Sequence, residues 1–142
     1  MGRIKLDVTG KLLTRLQIPV RITDINYGNH AGNDALVGIL HEARAAWLKQ
    51  NNFTELDING TGLILSELVI NFKKESLYGD ILEVELFAAE VTKKSFELYY
   101  SVSSTREAML LEIVVARTTM ISYDYELKKV TELPANLVSL LT

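Results

Sequence analysis

The segment from about Asn33 to Asn51 predicts a long helix that is apolar or small on nearly every side, and this narrows the possible folds most. Large apolar side chains recur at helical spacing and form one broad face (Leu36, Ile39, Leu40, Ala43 and Trp47). Beside this face runs the small strip, which holds small residues and one carboxylate (Ala35, Gly38, Glu42, Ala45 and Ala46). A solvated helix normally carries Lys and Glu on such a side. We therefore expect close packing on the small strip as well, by a wrapped sheet or by a partner helix.

The remainder of the chain has the pattern of strands joined by short turns. Apolar or alternating runs predict strands at about 12–22, 63–73, 81–91, 96–103 and 110–123, and a short helix at 135–141. Turn-forming residues separate these segments at 76–80, 92–94 and 124–128. Connections of this length favour antiparallel pairing. The sequence thus predicts an α+β fold, with one long central helix, an antiparallel sheet of about five strands and a single domain over residues 1–142.

One sheet cannot cover both sides of such a helix. A second copy of the chain would bury the small strip and protect the edge of the sheet. We therefore predict a homodimer with twofold symmetry, the usual arrangement of two identical subunits, or a tetramer built from such dimers.

The composition disfavours several classes of function. A net charge of −3 gives little non-specific attraction to nucleic acid. The chain has no cysteine, which removes disulfides, thiolate metal sites and a cysteine nucleophile, and its two histidines lack the spacing of a metal site. No apolar run approaches the ~18 residues of a membrane span. The N-terminus also lacks the apolar core of a signal peptide, so we expect a cytoplasmic protein.

A polar loop, DINYGNHAGND, joins the first predicted strand to the long helix. Six of its side chains can donate or accept hydrogen bonds (Asp24, Asn26, Tyr27, Asn29, His30 and Asn33). Asn33 or Asp34 is expected to cap the helix. Backbone N–H groups at a helix start favour negative charge, so this loop suits a developing oxyanion better than it suits packing.

Several motifs carry a resemblance to a known family. Residues 24–33 read D-I-N-Y-G-N-H-A-G-N, close to the pattern D-x-D-x-x-G-H-V-N-N, and Glu42-Ala43-Arg44 follows on the helix. Asn71-Phe72, the turn Tyr78-Gly79-Asp80, and Lys94-Ser95-Phe96 match later parts of the same pattern. From about Val20 to Leu141 the chain resembles the hotdog-fold thioesterases, in the 4-hydroxybenzoyl-CoA thioesterase-like branch.

The resemblance implies a hotdog fold and hydrolysis of an acyl-CoA or acyl-carrier-protein thioester, with no cofactor beyond the CoA of the substrate. The acyl group would lie in an apolar tunnel beside the helix, and the CoA or carrier arm across the subunit interface. The backbone N–H of Asn33 would polarise the thioester carbonyl. The alternative is a protein that binds acyl-CoA without hydrolysing it, and a hotdog dehydratase is disfavoured.

The candidate catalytic residues are Asn26, His30 and Glu42, and each has an ordinary structural alternative. Members of the family carry a catalytic aspartate where this chain has Asn26, whose amide is not basic; it would orient water, or brace the loop as an Asx turn. His30 is a general base, or a loop histidine bonded to a backbone carbonyl. Glu42 activates water, or forms a structural ion pair.

Spacing restricts the role of Glu42. It lies about 13 Å along the helix from Asn33, at ~1.5 Å per residue, so it cannot reach a carbonyl bound at its own helix start. An antiparallel partner helix would bring it to the other subunit's carbonyl.

The remaining candidates are weaker. Asp24 and Tyr27 could contact substrate, although Asp24 is expected mainly to brace the loop. Lys93 and Lys94, like Lys73 and Lys74, could bind CoA phosphates, although lysines at turns are usually solvated. Arg44 is expected to form a structural salt bridge.

Overall fold

The computed structural model describes residues 4–142 and places one long helix on one antiparallel sheet, which confirms the α+β prediction. The elements, with a one-turn 3-10 helix at Ile22–Asp24, are β1 Lys11–Pro19, α1 Asn33–Gln50, β2 Gly62–Phe72, β3 Ile81–Ala89, β4 Ser95–Arg106, β5 Met109–Asp124, β6 Lys129–Val130 and α2 Ala135–Leu141. The sequence pattern missed β6, which makes the sheet 6-stranded. Residues 1–3 of the predicted domain lie outside the described residues.

The strand order is β1-β3-β4-β5-β2, with β6 paired to the end of β5. Although β2 and β3 follow one another in the chain, they do not pair with each other. Instead β2 pairs antiparallel with β5, and β3 lies between β1 and β4. The connection 73–80, which we call the crossover, passes over β5 and β4. Its eight residues can span roughly 26 Å when extended, and the three strand spacings between β2 and β3 need only about 14 Å. A short connection therefore did not specify a hairpin here.

The sheet covers the broad face of α1 and leaves the small strip uncovered by the described chain. All the large side chains predicted for the broad face are buried, in one core with inward-facing residues of the central strands β3 and β4 (Leu82, Val84, Leu86, Leu98 and Tyr100). On the small strip, Gly38 and Glu42 are exposed and the three alanines are half-buried. A side chain added at Gly38 would meet nothing within 4 Å among the described residues.

Helix α1 begins differently from the prediction. Its N-cap is Gly32, whose carbonyl accepts the N–H of Leu36 at 3.0 Å. The expectation that Asn33 or Asp34 caps the helix is therefore wrong, since both lie inside its first turn. Asp34 still places a carboxylate near the positive end of the helix dipole.

A buried polar network fixes the middle of α1 to the sheet. Arg44 pairs with Glu55 at 2.5 Å, as expected for a structural salt bridge, and donates to the hydroxyl of Tyr100 at 3.1 Å. That hydroxyl also lies 2.8 Å from the hydroxyl of Thr118. Burial raises the pKa of Tyr100, although Arg44 and Thr118 act in the opposite direction. In residues 4–142 no helix is long and apolar enough to cross a membrane.

Candidate active site

The polar loop is a compact turn held by its own backbone. The N–H of Asn26 donates to the carbonyl of His30 at 3.0 Å, and the N–H of Asn29 donates to the carbonyl of Asn26 at 3.1 Å. Asn29 has φ 65, a left-handed conformation that asparagine tolerates better than most residues. The Oδ1 atom of Asn26 accepts the N–H of Gly28 at 2.9 Å, which is an Asx turn. Asn26 thus braces the loop, whatever further role it has.

The crossover between β2 and β3 anchors this loop to the sheet. The N–H of Ala31 donates to the carbonyl of Ser76 at 2.9 Å. The crossover is in turn clamped by Arg106 of β4, which donates to Asp80 at 2.6 Å and to the carbonyl of Glu75 at 3.1 Å. Burial alone would raise the pKa of Asp80, but hydrogen bonds from Arg106 and from the N–H of Leu77 hold it below its usual value.

Arg106 did not stand out in the sequence. It lies three positions beyond the predicted strand 96–103, and its partner lies 26 positions away. The pairing depends on the register of β4 against β3, which the sequence pattern leaves open.

Asp24 is buried, and its carboxylate is already hydrogen-bonded. Its carboxylate accepts the backbone N–H of Arg21 at 2.8 Å and lies 3.2 Å from the guanidinium of the same residue. Burial raises the pKa of Asp24, but the hydrogen bonds from Arg21 outweigh it, and the net pKa lies below the usual value. The backbone carbonyl of Asp24 also accepts the N–H of Gly32 at 3.0 Å. These contacts agree with the bracing role expected of Asp24.

A small groove of about 160 Å³ opens where α1 begins, and we call it the helix-start groove. It is lined by His30, Ala31, Asn33, Leu36, Phe72, Lys73, Lys74 and Glu75. The structure thus brings together His30 and Asn33, two of the predicted site residues. The first N–H groups of a helix have no partner within the helix. No described residue accepts the N–H of Asn33, and the N-cap Gly32 offers no side chain.

The His30 ring faces oxygen atoms on both sides. Its Nδ1 lies 3.2 Å from the carbonyl of Ala31, and its Nε2 lies 3.6 Å from the carboxylate of Glu75. A neutral imidazole carries one N–H, so it can donate to only one of these oxygens at a time. The contact of Nδ1 with the backbone carbonyl is the structural alternative that the sequence offered for His30, and Nε2 lies beside Glu75 without a hydrogen bond to it.

Gly32 leaves room for two polar side chains beside the helix start. A Cβ at this position would lie 2.6 Å from Oδ1 of Asp34 and 3.5 Å from Nδ2 of Asn26. Sequence reasoning did not propose that the Asp34 side chain lies against this position. The glycine could have indicated it, because close approach is one of the few reasons to place glycine at such a position.

Glu42 lies in a separate, larger groove of about 600 Å³, which we call the strip groove. It is lined by Ile18, Pro19, Arg21, Asp24, Ala35, Gly38, Ile39, His41, Glu42 and Ala45. Within residues 4–142 the carboxylate of Glu42 forms no ion pair within 4.0 Å. The pKa of Arg21 is raised first by its hydrogen bond to Asp24 and to a lesser extent by the charge of Glu42. The strip groove shares no residue with the helix-start groove.

The other predicted contacts lie away from the helix-start groove of their own chain. Tyr27 is fully exposed at the tip of the polar loop. Lys93 and Lys94 form the turn after β3, at the far end of that strand from the Asp80 turn that precedes it. Among the described residues no group of three or more His, Cys, Asp or Glu could hold a metal ion.

Comparison with known proteins places these features in a family. The family model described as the thioesterase-like superfamily matches residues 20–141. No match was found among curated proteins.

Similar solved structures include a provisionally named thioesterase from Pseudomonas aeruginosa, at 20% identity and TM-score 0.84, covering 93% of this chain and 100% of that one. A 1,4-dihydroxy-2-naphthoyl-CoA thioesterase from Synechocystis has 21% identity and TM-score 0.78, with coverage of 89% and 93%. A 4-hydroxybenzoyl-CoA thioesterase from Pseudomonas sp. strain CBS-3 has 19% identity and TM-score 0.78, with coverage of 89% and 97%. At these identities the likeness concerns the fold, and it confirms the predicted hotdog architecture.

Proposed function

This chain belongs to the thioesterase-like superfamily and is a thioesterase, and we propose that it hydrolyses acyl-CoA thioesters in a cleft shared by two copies of the chain. Two of the similar structures are thioesterases of CoA esters, which favours CoA over a carrier protein as the thiol carrier. The acyl-CoA substrate and the pairing of two chains are both parts of this proposal.

The observation that carries the proposal is the unoccupied N–H of Asn33 at the start of α1, beside His30 in the helix-start groove. An N–H at this position lies at the positive end of the helix dipole. It can donate to a thioester carbonyl, and more strongly to the oxyanion that forms when water attacks. The crossover contact between Ala31 and Ser76 keeps this donor in place before substrate binds.

Water activation requires a base, and two residues are placed for it. Glu42 is an exposed carboxylate without an ion pair in the described chain, and a partner helix packed antiparallel on the small strip would carry it to the other chain's helix start. His30 lies in the helix-start groove itself, with Asn26 close by in the same loop. We assign the base to Glu42 of the second copy, with His30 as the competing assignment.

The reaction then proceeds in two balanced steps. The base takes a proton from water as the water oxygen attacks the thioester carbon, and the carbonyl oxygen becomes an oxyanion that accepts the N–H of Asn33. The oxyanion collapses, the carbon–sulfur bond breaks, and the base returns the proton to the leaving thiolate. The products are a carboxylic acid and free CoA.

The test is release of free thiol from a panel of acyl-CoA esters by the purified protein. The variants Glu42→Gln and His30→Ala are compared with Glu126→Gln, which removes an exposed carboxylate in the turn after β5. We expect loss of most of the rate in the variant of the true base and no loss in the control. Equal activity in all four proteins would show that neither residue is the base, and no thiol release from any ester would overturn the proposal.

A second candidate function, acyl-CoA binding without hydrolysis, is favoured by Asn26. Its amide is not a base, and its oxygen is already engaged by the N–H of Gly28. This candidate predicts heat of binding for acyl-CoA in calorimetry without thiol release. It also predicts that Asn26→Asp gains hydrolysis, since aspartate keeps the acceptor for Gly28 and adds a carboxylate near Gly32.

A further inference from the structure

A tight turn, Asn59-Gly60, connects the loop after α1 to strand β2. Both residues have positive φ, 53 for Asn59 and 95 for Gly60, as in the two-residue type I′ turn of a hairpin. The residues on either side, Ile58 and Thr61, form an isolated antiparallel bridge with N–H···O distances of 2.6 and 3.3 Å. Ile58 is fully buried in the core, so the bridge attaches an exposed turn to the interior of the protein.

The side chain of Asn59 lies beside a backbone nitrogen that nothing shields. Within residues 4–142 the Asn59 amide makes no hydrogen bond. The N–H of Gly60 donates to Oδ1 of Asp57 at 3.1 Å, but this bond is exposed and water competes for it. A Cβ built on Gly60 would meet nothing within 4 Å among the described residues. The described chain therefore leaves room for the nitrogen of Gly60 to approach Cγ of Asn59.

Two other asparagines provide a comparison within the same molecule. Asn29 and Asn52 are also exposed and also have positive φ, 65 and 62, and in the described part of the chain their side-chain amides form no hydrogen bond either. They differ from Asn59 in the residue that follows, which is a histidine after Asn29, a phenylalanine after Asn52 and Gly60 after Asn59. Only glycine lacks the Cβ that hinders attack by its backbone nitrogen. Of the three, Asn59 is therefore the most reactive.

We propose that Asn59 is a site of spontaneous covalent modification, which converts it to aspartate and isoaspartate. The nitrogen of Gly60 loses its proton to hydroxide and bonds to Cγ of Asn59, while the side-chain nitrogen leaves as ammonia and a succinimide ring closes. Water then opens the ring. Attack at Cγ gives aspartate, whereas attack at the backbone carbonyl carbon gives isoaspartate, in which the main chain runs through the side chain. Overall, water is consumed and ammonia is released, without oxidation or reduction.

The products differ from the native turn in length and in charge. Isoaspartate adds a methylene group to the main chain, and a two-residue turn sets the register of the residues that flank it, so the bridge between Ile58 and Thr61 is lost. Both products also place a new carboxylate close to Asp57, whose own carboxylate accepts the N–H of Gly60, and like charges repel. The modified loop is therefore attached to the core less firmly than the native loop.

The test follows the folded, purified protein during incubation at mildly alkaline pH. Trypsin cleavage after Lys49 and Lys73 gives one peptide that holds both Asn52 and Asn59, so fragment masses locate the mass gain of deamidation. We expect Asn59 to convert at least about tenfold faster than Asn52, the ratio that a barrier lower by ~1.4 kcal/mol gives. An isoaspartate-specific carboxyl methyltransferase should label the aged wild type and not aged Asn59→Gln, whose longer side chain would have to close a larger ring.

Two results would overturn the modification site: Asn59 keeps its mass throughout the incubation, or Asn52 converts as fast as Asn59. The effect on stability is measured on the more acidic species, which anion exchange separates from the aged protein. We expect this species to unfold at a lower urea concentration than fresh wild type. Aged Asn59→Gln should yield no such species. An unchanged urea midpoint for the acidic species would overturn the predicted loss of the bridge.

Discussion

Asn33 and Glu42 lie on the same helix, yet they open into different grooves that share no residue. Asn33 lies at the first turn beside His30, whereas Glu42 lies about 13 Å further along at ~1.5 Å per residue. A single chain therefore carries both halves of the proposed site, the carbonyl-binding N–H of Asn33 and the carboxylate of Glu42, but the helix holds them too far apart to act on one substrate. Two antiparallel copies of α1 would bring each half to its complement.

Subunit complementation tests this shared cleft directly. Hybrid dimers of Glu42→Gln and Asn33→Pro chains, co-expressed with different tags and purified as the mixed species, should regain about half of the wild-type rate per dimer. Proline at the first helical position removes the N–H of Asn33 and is tolerated there. One of their two clefts would combine the intact half of each chain. Thiol release from an acyl-CoA ester measures the recovery. A hybrid as inactive as the two parent variants would place both residues in the cleft of a single chain.

The small strip should be the contact between the two copies. Gly38 has open space around it in the described chain, so Gly38→Lys would leave the isolated chain folded but place a bulky charge between the helices. We expect sedimentation to show a shift from dimer to monomer together with loss of thioesterase activity. Val37→Lys is the matched control, because Val37 is exposed but lies about 100° round the helix. Dimers that persist in Gly38→Lys would move the interface elsewhere.

Arg106 should stabilise the protein in a pH-dependent way. Arg106→Gln removes the donor to Asp80 and should lower the unfolding free energy by about 2 kcal/mol at pH 7. The folded-state pKa of Asp80 lies below its unfolded value, so this stabilisation is present above about pH 4 and is lost as the pH falls through the folded pKa. Urea unfolding at pH 7 and near pH 3 measures the difference. A gap between variant and wild type that is the same at both pH values would contradict the assignment.

The same clamp holds the polar loop, so the Arg106→Gln variant should also lose catalytic rate. The crossover carries the carbonyl of Ser76 that fixes Ala31, and a looser crossover displaces the N–H of Asn33. We expect kcat to fall more than KM rises. Arg15→Gln removes an exposed ion pair with Glu85 on the sheet, and it should leave both parameters unchanged.

Arg44 should matter for stability and not for chemistry. Arg44→Ala leaves Glu55 and Tyr100 without their buried partner, which should lower the unfolding free energy by about 3 kcal/mol. Lys49→Ala on the exposed last turn of α1 is the control and should change it little. Urea unfolding measures the change in unfolding free energy of both variants, and the m-value should stay unchanged. A loss no larger than that of the control would show that the network contributes little.

Local sequence patterns were sufficient to predict most of the helices and strands. The 3.6-residue repeat predicted α1 almost to its ends, and alternation or turn residues located β2 to β5 and α2. These features depend on neighbouring residues, so a single sequence reveals them. Four details failed: the Gly32 cap, the end of β1 at Pro19, the strand β6, and the separation of β2 from β3. The cap depends on the conformation of the polar loop, and the other three depend on which strands pair.

For the candidate site, too, the sequence predicted some features and left others to the tertiary structure. The motif identified Asn26, His30, Asn33 and Glu42 as candidates, since their types and spacing are properties of the chain alone. The sequence also offered the Asx turn of Asn26 as an alternative, and the structure contains it. It did not reveal the clamp of Arg106 on Asp80 or the position of the Asp34 side chain beside Gly32. Both depend on loop conformation or strand register.

By itself, the sequence determined the α+β layers, the family and the residue types available for catalysis, because hydrophobic periodicity and motif spacing are local quantities. Only the tertiary structure decided where those residues lie: His30 with Asn33 in one groove, Glu42 in another, and Lys93 and Lys94 at the far end of the sheet. Contacts across the sheet order β1-β3-β4-β5-β2 join residues far apart in the chain, and their geometry follows from register and packing.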